Sequence, residues 1–271
     1  MRVQKIIYLT AIVTLLIAFV SGCHRRPWAD DRLSEMVLDH LDDHVKDLSL
    51  NESQDTKYQD LRKRMETDLN KTQAEHQAFK LKLKGMIDQE NADVKQINSE
   101  IRFKLNEMPD KLVVYLDYVD EMWDILDEQQ REKVMIEIRE RTDDKRWYHH
   151  HRNSDKRHGR ILERIDNHVD DLNLDENQKV KYSDLRTRLE KELLDKKADH
   201  ESFRLKMKQL IANENTGAKE ITSELRYKLN EMPEEMVVYL DYADEMWDML
   251  NKEQQALVLE EIRDRTDSCL D

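Results

Sequence analysis

One stretch of the chain occurs twice, and this duplication constrains the fold more than any other feature. Residues 106–126 read NEMPDKLVVYLDYVDEMWDIL, and residues 230–250 read NEMPEEMVVYLDYADEMWDML. The two copies start 124 residues apart, and the same offset relates residues 41–143 to residues 165–267 without a gap. A period of roughly a hundred residues suits a domain and is too long for a solenoid. The sequence therefore predicts two tandem copies of one unit, equivalent to a fused dimer.

The composition favours helices and disfavours several functions. Charged residues make up 38% of the chain, which has only 4 Gly and 3 Pro, so little material remains for turns or strands. The net charge of −14 argues against nucleic acid as a partner. We find no Gly-rich phosphate loop, no nucleophile motif and no His-Glu metal signature. We therefore expect an all-α protein that is not an enzyme.

The first 22 residues have the order of a secretory signal. Arg2 and Lys5 precede an apolar run at 6–20, which is short for a membrane-spanning helix. The following Ser-Gly-Cys resembles a bacterial lipoprotein signal, which implies cleavage before Cys23 and acylation of that residue. His24, in place of an Asp, implies anchorage at the outer membrane, facing the periplasm. The alternative is an uncleaved signal anchor with an incidental Cys.

The duplication divides the rest of the chain. We predict a tether at 23–30, the first repeat at 31–144, a linker at 145–160 and the second repeat at 161–271. Cys269 is the second of 2 cysteines and lies near the end of the chain. We expect an unpaired or incidental thiol there, with pairing between chains as the alternative.

Four short motifs predict helix starts. Each has Leu, then Asn or Asp as an N-cap, then Gln at the third helical position, where it reaches back to the cap's own amide. The motifs are residues 50–54, 126–130, 174–178 and 250–254. A cap alone explains all four, and no ligand is needed.

The second and third helices of each repeat are predicted to be long. Pro109 and Pro233 fall inside the third helix, but its apolar seam stays in phase across them, which predicts a kink rather than a break. Two curved helices would form a concave surface. His76 and His200 lie on the seam of the second helix, so we expect them to be buried and hydrogen-bonded, with pH sensing as the alternative.

The duplicated stretch is apolar on more than one face. Such a helix is either buried between layers or exposes an apolar patch. Both interpretations stay open: a core between the repeats, and a surface that binds client proteins. The candidate client-binding residues are Met108, Leu112, Tyr115, Leu116, Met122, Trp123, Met232, Met236, Tyr239, Leu240, Met246 and Trp247.

Two groups of histidines are candidate metal ligands for zinc or copper. His40 and His44 are spaced i, i+4 on one helix face. The basic linker region holds His149, His150, His151 and His158. The alternatives are histidines on a solvated helix surface, and a solvated linker whose charge is drawn to anionic lipid or to the acidic domains. No other cofactor is expected.

The four motifs resemble the LTxxQ boxes of the Spy/CpxP family of periplasmic proteins, with Asn or Asp in place of Thr. The order of helices is also similar, with a third helix that ends in Trp-Asp-x-Leu. Members form thin, cradle-shaped antiparallel dimers that act as ATP-independent chaperones or regulators of envelope stress. Some relatives bind or sense metals.

The resemblance implies both a fold and a function. We expect two tandem four-helix Spy/CpxP-like units with long kinked helices, forming an intramolecular pseudo-dimeric cradle. We expect a membrane-anchored periplasmic chaperone, or an accessory of the envelope stress response, whose partners are partly unfolded envelope proteins. The alternatives are a periplasmic protein that binds or senses metal through the linker histidines, and a purely structural adaptor for another envelope protein.

Overall fold

The computed structural model describes residues 33–143 and 154–270, and these residues form helices joined by short turns. The prediction of an all-α fold is confirmed for this part of the chain. The helices are α1 Leu33–Leu48, α2 Glu52–Ile87, α3 Val94–Ile125, α4 Glu128–Asp143, α5 Ser154–Asp171, α6 Glu176–Ala212, α7 Ala218–Met249 and α8 Lys252–Leu270.

The helix bounds repeat with the offset of the sequence. The start residues of α2 and α6, of α3 and α7, and of α4 and α8 are each separated by 124 positions. The third helix of each copy runs without interruption through its proline, Pro109 in α3 and Pro233 in α7. The prediction that these helices continue past the proline is therefore confirmed. Both prolines are buried, so packing holds the helix where a backbone hydrogen bond is missing.

The connection from the first to the second helix is tight in both copies. Ser49 has a φ of 53° and Asn173 a φ of 50°, which places both in the left-handed region. This conformation ends a helix within one residue, and Asn adopts it more readily than most side chains. The next helix then begins directly at its capping motif.

The described residues divide into two compact units, each built from three segments. The first unit contains residues 33–79, 110–143 and 210–229. The second unit contains residues 80–109, 154–209 and 230–270. Each unit therefore combines residues from both copies of the repeat.

The core of the first unit lies among α1, α2 and the second half of α3. It contains the buried side chains of Leu38, Leu61, Met65, Tyr118 and Ile125. Leu61 and Met65 are four residues apart on α2, and Tyr118 and Ile125 are seven apart on α3, which puts each pair on one face of its helix. Leu41, Leu69, Tyr115 and Met122 pack around this cluster and remain partly exposed.

A polar cluster fixes α1 against α2 beside this core. The hydroxyl of the buried Tyr58 donates to Asp42 at 2.5 Å, and Arg62 Nε lies 2.9 Å from both oxygens of the same carboxylate. Burial, and then the Asp42 carboxylate, raise the pKa of Tyr58 far above its usual value. In the second unit Tyr182 and Arg186 make the same contacts with Asp166.

The segment 210–229 is held within the first unit by specific polar contacts. Arg226 lies 2.7 Å from both Asp117 and Asp120, and the Thr222 hydroxyl donates to Asp120 at 2.6 Å. Arg139 Nε donates to the carbonyl of Ile211 at 3.1 Å. These contacts attach the end of α6 and the start of α7 to α3 and α4.

The second unit has two apolar clusters and an equivalent set of polar contacts. The buried members are Val169, Leu172, Leu174 and Leu250 in one cluster, and Leu162, Leu189 and Leu193 in the other. Arg102 lies 2.7 Å from Asp241 and 2.6 Å from Asp244. Arg263 Nε donates to the carbonyl of Ile87 at 2.9 Å. The first half of α3 is thereby attached to α7, and the end of α2 is attached to α8.

Candidate functional site

The four capping motifs form the reciprocal hydrogen bonds that the sequence predicts. At α2, Gln54 N donates to Asn51 Oδ1 at 3.0 Å, and Asn51 N donates to Gln54 Oε1 at 3.0 Å. The same pair of bonds occurs at the starts of α4, α6 and α8, each between 2.8 and 3.0 Å. Two of the amide groups that a helix start leaves without partners are satisfied in each case.

The glutamines of these motifs do more than cap helices. Gln54 Nε2 donates to Gln130 Oε1 at 2.7 Å and to the carbonyl of Ile125 at 2.9 Å, and all these atoms are buried. Gln130 Nε2 donates to the carbonyl of Leu48 at 3.1 Å. The expectation that a cap alone explains the motif was therefore wrong. The two motifs of one copy join each other in the core.

The second copy contains the same glutamine pair. Gln178 Nε2 donates to Gln254 Oε1 at 2.7 Å and to the carbonyl of Met249 at 2.7 Å. Gln254 Nε2 donates to the carbonyl of Leu172 at 3.1 Å. Such fully paired buried amides specify one arrangement of the helices, because any shift would leave a buried polar group without its partner. Their role is structural.

The candidate client-binding residues divide by burial. Leu112 and Leu116 are buried in the first unit, where Leu116 is only 1% exposed. The other ten of the twelve keep part of their surface accessible. Tyr115 packs against the core of the first unit and places its hydroxyl 2.9 Å from Thr72 Oγ1. In the second unit, Tyr239 and Met246 likewise pack against apolar clusters.

The two copies bury this stretch to different extents. Met236 and Leu240 occupy the positions of Leu112 and Leu116, yet both are partly exposed. At these two positions α7 therefore offers more apolar surface than α3.

A second set of apolar residues was missed by sequence reasoning. Phe103 and Tyr227, at matching positions of the two copies, are each 63% exposed. Leu81 and Leu205 also match, and both are exposed. These residues lie outside the apolar seams of their helices, so seam patterns could not reveal them. The signal available in the sequence was that both copies have an apolar residue at the same position outside the seam.

The first unit contains an apolar cavity of about 410 Å³. It opens among α1, α2, α3 and α4 and is lined by aliphatic and aromatic side chains that include Leu61, Met65, Tyr118, Met122, Trp123 and Ile136. Gly217 lies beside the Trp123 ring, since a Cβ at this position would be 3.4 Å from the ring and 3.1 Å from Glu220 Oε2. The first copy has Asp93 at the position of Gly217.

A wider polar recess of about 910 Å³ adjoins the apolar cavity. Trp123, Ile136 and Glu140 line both spaces. The recess is acidic: it is lined by four glutamates and two arginines, namely Glu128, Glu132, Glu140, Glu214, Arg131 and Arg139. The Arg131 guanidinium stacks over the Trp123 ring at 5.7 Å, and Arg131 Nε donates to the Trp123 carbonyl at 2.8 Å.

His40 and His44 lie together on α1, as their spacing predicts. Their ring centroids are 5.7 Å apart and nearly perpendicular. Burial is the main cause that lowers both pKa values, and the charge of Arg141 lowers them further; the pKa of His44 falls to about 4. Both rings are therefore neutral near pH 7.

Metal binding stays a prediction. Within residues 33–143 and 154–270, no group of three or more His, Cys, Asp or Glu side chains is placed to hold one ion. His149, His150 and His151 lie outside the described residues, as does Cys23. His158 belongs to α5, but its side chain is not among those described.

The two seam histidines differ from the prediction that both are buried. His76 is half-buried and His200 is exposed, so the prediction was wrong for His200. The seam of α6 continues past this position, but the apolar partner surface does not cover it.

No family model, curated protein or solved structure matches this chain. Across the two described ranges, no helix combines the length and the apolar character needed to cross a lipid bilayer.

Proposed function

We propose that this protein is a membrane-anchored periplasmic chaperone, or an accessory of the envelope stress response, that binds partly unfolded envelope proteins without ATP. The resemblance of its four capping motifs to those of the Spy/CpxP family supports this proposal. Acylation of Cys23 would tether it to the outer membrane. Its two copies would form a pseudo-dimeric cradle within one chain. Arg102 contacts Asp244 and Arg226 contacts Asp120, so matching residues of the two copies make matching contacts, which supports this arrangement.

The observation that carries the proposal is apolar surface repeated at matching positions of long helices. Phe103 and Tyr227 are large and mostly exposed, and Met236 and Leu240 are partly exposed. Single exposed apolar residues occur on any protein surface, but here exposed apolar residues occur at the same positions in both copies. Methionine side chains are flexible and adapt to different partners, which suits binding of many client sequences.

Charge around these residues keeps such a surface soluble. On α3, the exposed positions between Phe103 and the end of the helix include Asp110, Asp117, Glu121 and Asp124. With a net charge of −14 the protein repels copies of itself, so it can expose apolar side chains without aggregating.

An aggregation assay tests the proposal. The chain from residue 24 onward, which retains every described residue, is mixed with a chemically denatured client, and light scattering is followed as the client is diluted into buffer. We expect scattering to fall as the protein is added in excess. No decrease at several-fold molar excess would contradict the proposal.

A matched pair of variants locates the binding surface. Phe103→Ser combined with Tyr227→Ser removes the exposed aromatic side chains from both copies, and we expect weaker suppression of aggregation. Asn106→Ser combined with Asn230→Ser is the control, because these polar residues are also exposed and also match in the two copies. Equal activity of both double variants would exclude Phe103 and Tyr227 as client contacts.

A further inference from the structure

The apolar cavity and the acidic recess of the first unit adjoin each other and present two different chemical environments. Trp123, Ile136 and Glu140 belong to the walls of both. A ligand that fills both spaces must therefore carry an apolar part next to a part that complements negative charge.

The charge of the recess selects a cationic partner. Four glutamates face two arginines, which leaves a net negative charge. Both arginines are also engaged with the protein itself, since Arg131 donates to the Trp123 carbonyl and Arg139 to the Ile211 carbonyl. An anionic group placed here would be repelled, whereas lysine and arginine side chains would be attracted.

The dimensions favour side chains of a peptide rather than a folded surface. A cavity of about 410 Å³ lies in the range of small-ligand pockets, so it holds a few large side chains at most. On α4, the exposed residues Glu132, Ile136 and Glu140 are spaced i, i+4, i+8 and therefore form one stripe. A peptide lying along this stripe would meet charge, apolar surface and charge in turn.

We propose that the first unit binds cationic amphipathic peptide segments, with their large apolar side chains in the cavity and their lysine or arginine side chains in the recess. This inference rests on the proposed function and names the chemistry of the client. It assigns the site to the first unit, because the second copy has Ala256, Glu260 and Asp264 where the first has Glu132, Ile136 and Glu140.

Direct binding of short labelled peptides tests the inference without any aggregation step. Three peptides are compared by fluorescence anisotropy: one alternating Lys with Leu and Trp, one with Glu in place of Lys, and one with Ser in place of Leu and Trp. We expect the first to bind at least about tenfold more tightly than the other two. Its affinity should fall as salt is added, because the charges are near the surface.

Variants of the stripe connect the affinity to this site. Glu132→Gln combined with Glu140→Gln should weaken the basic peptide about three- to tenfold and reduce its salt dependence. Ile136→Ser should weaken it while leaving the salt dependence unchanged. All three residues are exposed, so the variants should fold, and circular dichroism verifies this. Glu253→Gln combined with Glu260→Gln changes the charge equally in the second unit and should leave the affinity unchanged.

The outcomes separate this inference from the proposed function. Equal binding of all three peptides, or equal weakening by the control pair, would overturn the inference. If aggregation of clients is still suppressed in that case, the chaperone function stands without this site. If the peptide pattern holds while no client is protected, the site is established and the holding function is what fails.

Discussion

The side-chain amides of Gln54 and Gln130 each donate to the other's oxygen, at 2.7 and 3.3 Å, inside the core. The two residues are 76 positions apart and lie at the starts of α2 and α4. Each also caps its own helix and donates to a backbone carbonyl of another segment. One pair of side chains thereby connects four helix ends: the starts of α2 and α4 and the ends of α1 and α3.

This connection predicts a strong coupling between the two glutamines. Gln54→Ala and Gln130→Ala should each lower the free energy of unfolding by about 1–3 kcal/mol, because each leaves buried polar groups without partners. The double variant should cost less than the sum by roughly 0.5–3 kcal/mol. Urea unfolding measures all three. Gln129→Ala, at an exposed neighbouring position, serves as the control. Strict additivity would contradict the network.

Matching leucines in the two copies should differ in their contribution to stability. Leu116 is 1% exposed, whereas Leu240 is only partly buried. Leu116→Ala should therefore cost about 2–5 kcal/mol through lost burial and a residual cavity, and Leu240→Ala clearly less. Thermal and urea unfolding of the two variants provide the comparison. Equal losses would show that α7 is packed as fully as α3 in solution.

The paired arginines should matter more than the nearby lysines. Arg102 binds Asp241 and Asp244 with a side chain that is 23% exposed, whereas Lys95 and Asp248 are 47% and 60% exposed. Arg102→Gln should cost about 1.5–3 kcal/mol because it removes partly buried charged hydrogen bonds. Lys95→Gln should cost about 0–1 kcal/mol. Urea unfolding in low and high salt distinguishes them. A larger loss for Lys95→Gln would contradict this ranking.

Acid should destabilise the protein through His44. Its pKa falls from the usual 6.5 to about 4, through burial first and then through Arg141 of α4 and His40, with Asp43 and Asp47 opposing. Between these values the unfolded chain binds a proton that the folded protein resists, so stability decreases as the pH falls from 6.5 towards 4. His44→Gln should make the free energy of unfolding depend less on pH in this window.

Urea midpoints at several pH values between 7 and 4 measure this effect. His168→Gln, at the matching position of the second copy, leaves His44 in place and should retain the acid-dependent loss. His168 lies 3.0 Å from Glu261, so its surroundings differ from those of His44. An unchanged pH slope in His44→Gln would remove His44 as the cause.

Local patterns in the sequence predicted the helices well. Asn51 and Gln54 indicated the start of α2 within one residue, because capping depends only on neighbouring backbone amides. The phase of the apolar seam across Pro109 correctly indicated a continuous α3, since helical periodicity is also a local property.

Contacts between segments that are distant in the sequence could not be predicted from local patterns. A seam shows which face of a helix is apolar, but not whether another helix covers it, so Leu116 and Leu240 appeared equivalent and His200 appeared buried. The pairing of Gln54 with Gln130 depends on two helix starts that meet only in the folded chain. The site formed by the apolar cavity and the acidic recess escaped for the same reason, because its walls come from α1, α2, α3, α4 and the turn before α7.

The three-segment construction of each unit has a consequence for synthesis. The first unit includes residues 210–229, and the second begins with residues 80–109. When only the first 143 residues have been synthesised, the first unit still lacks residues 210–229. Arg226 is therefore not yet present to pair with Asp117 and Asp120. Neither unit can therefore fold completely until residues from both copies have been synthesised. A product truncated before residue 210 would leave the helix faces that this segment covers exposed, and such incompletely packed chains are prone to aggregate.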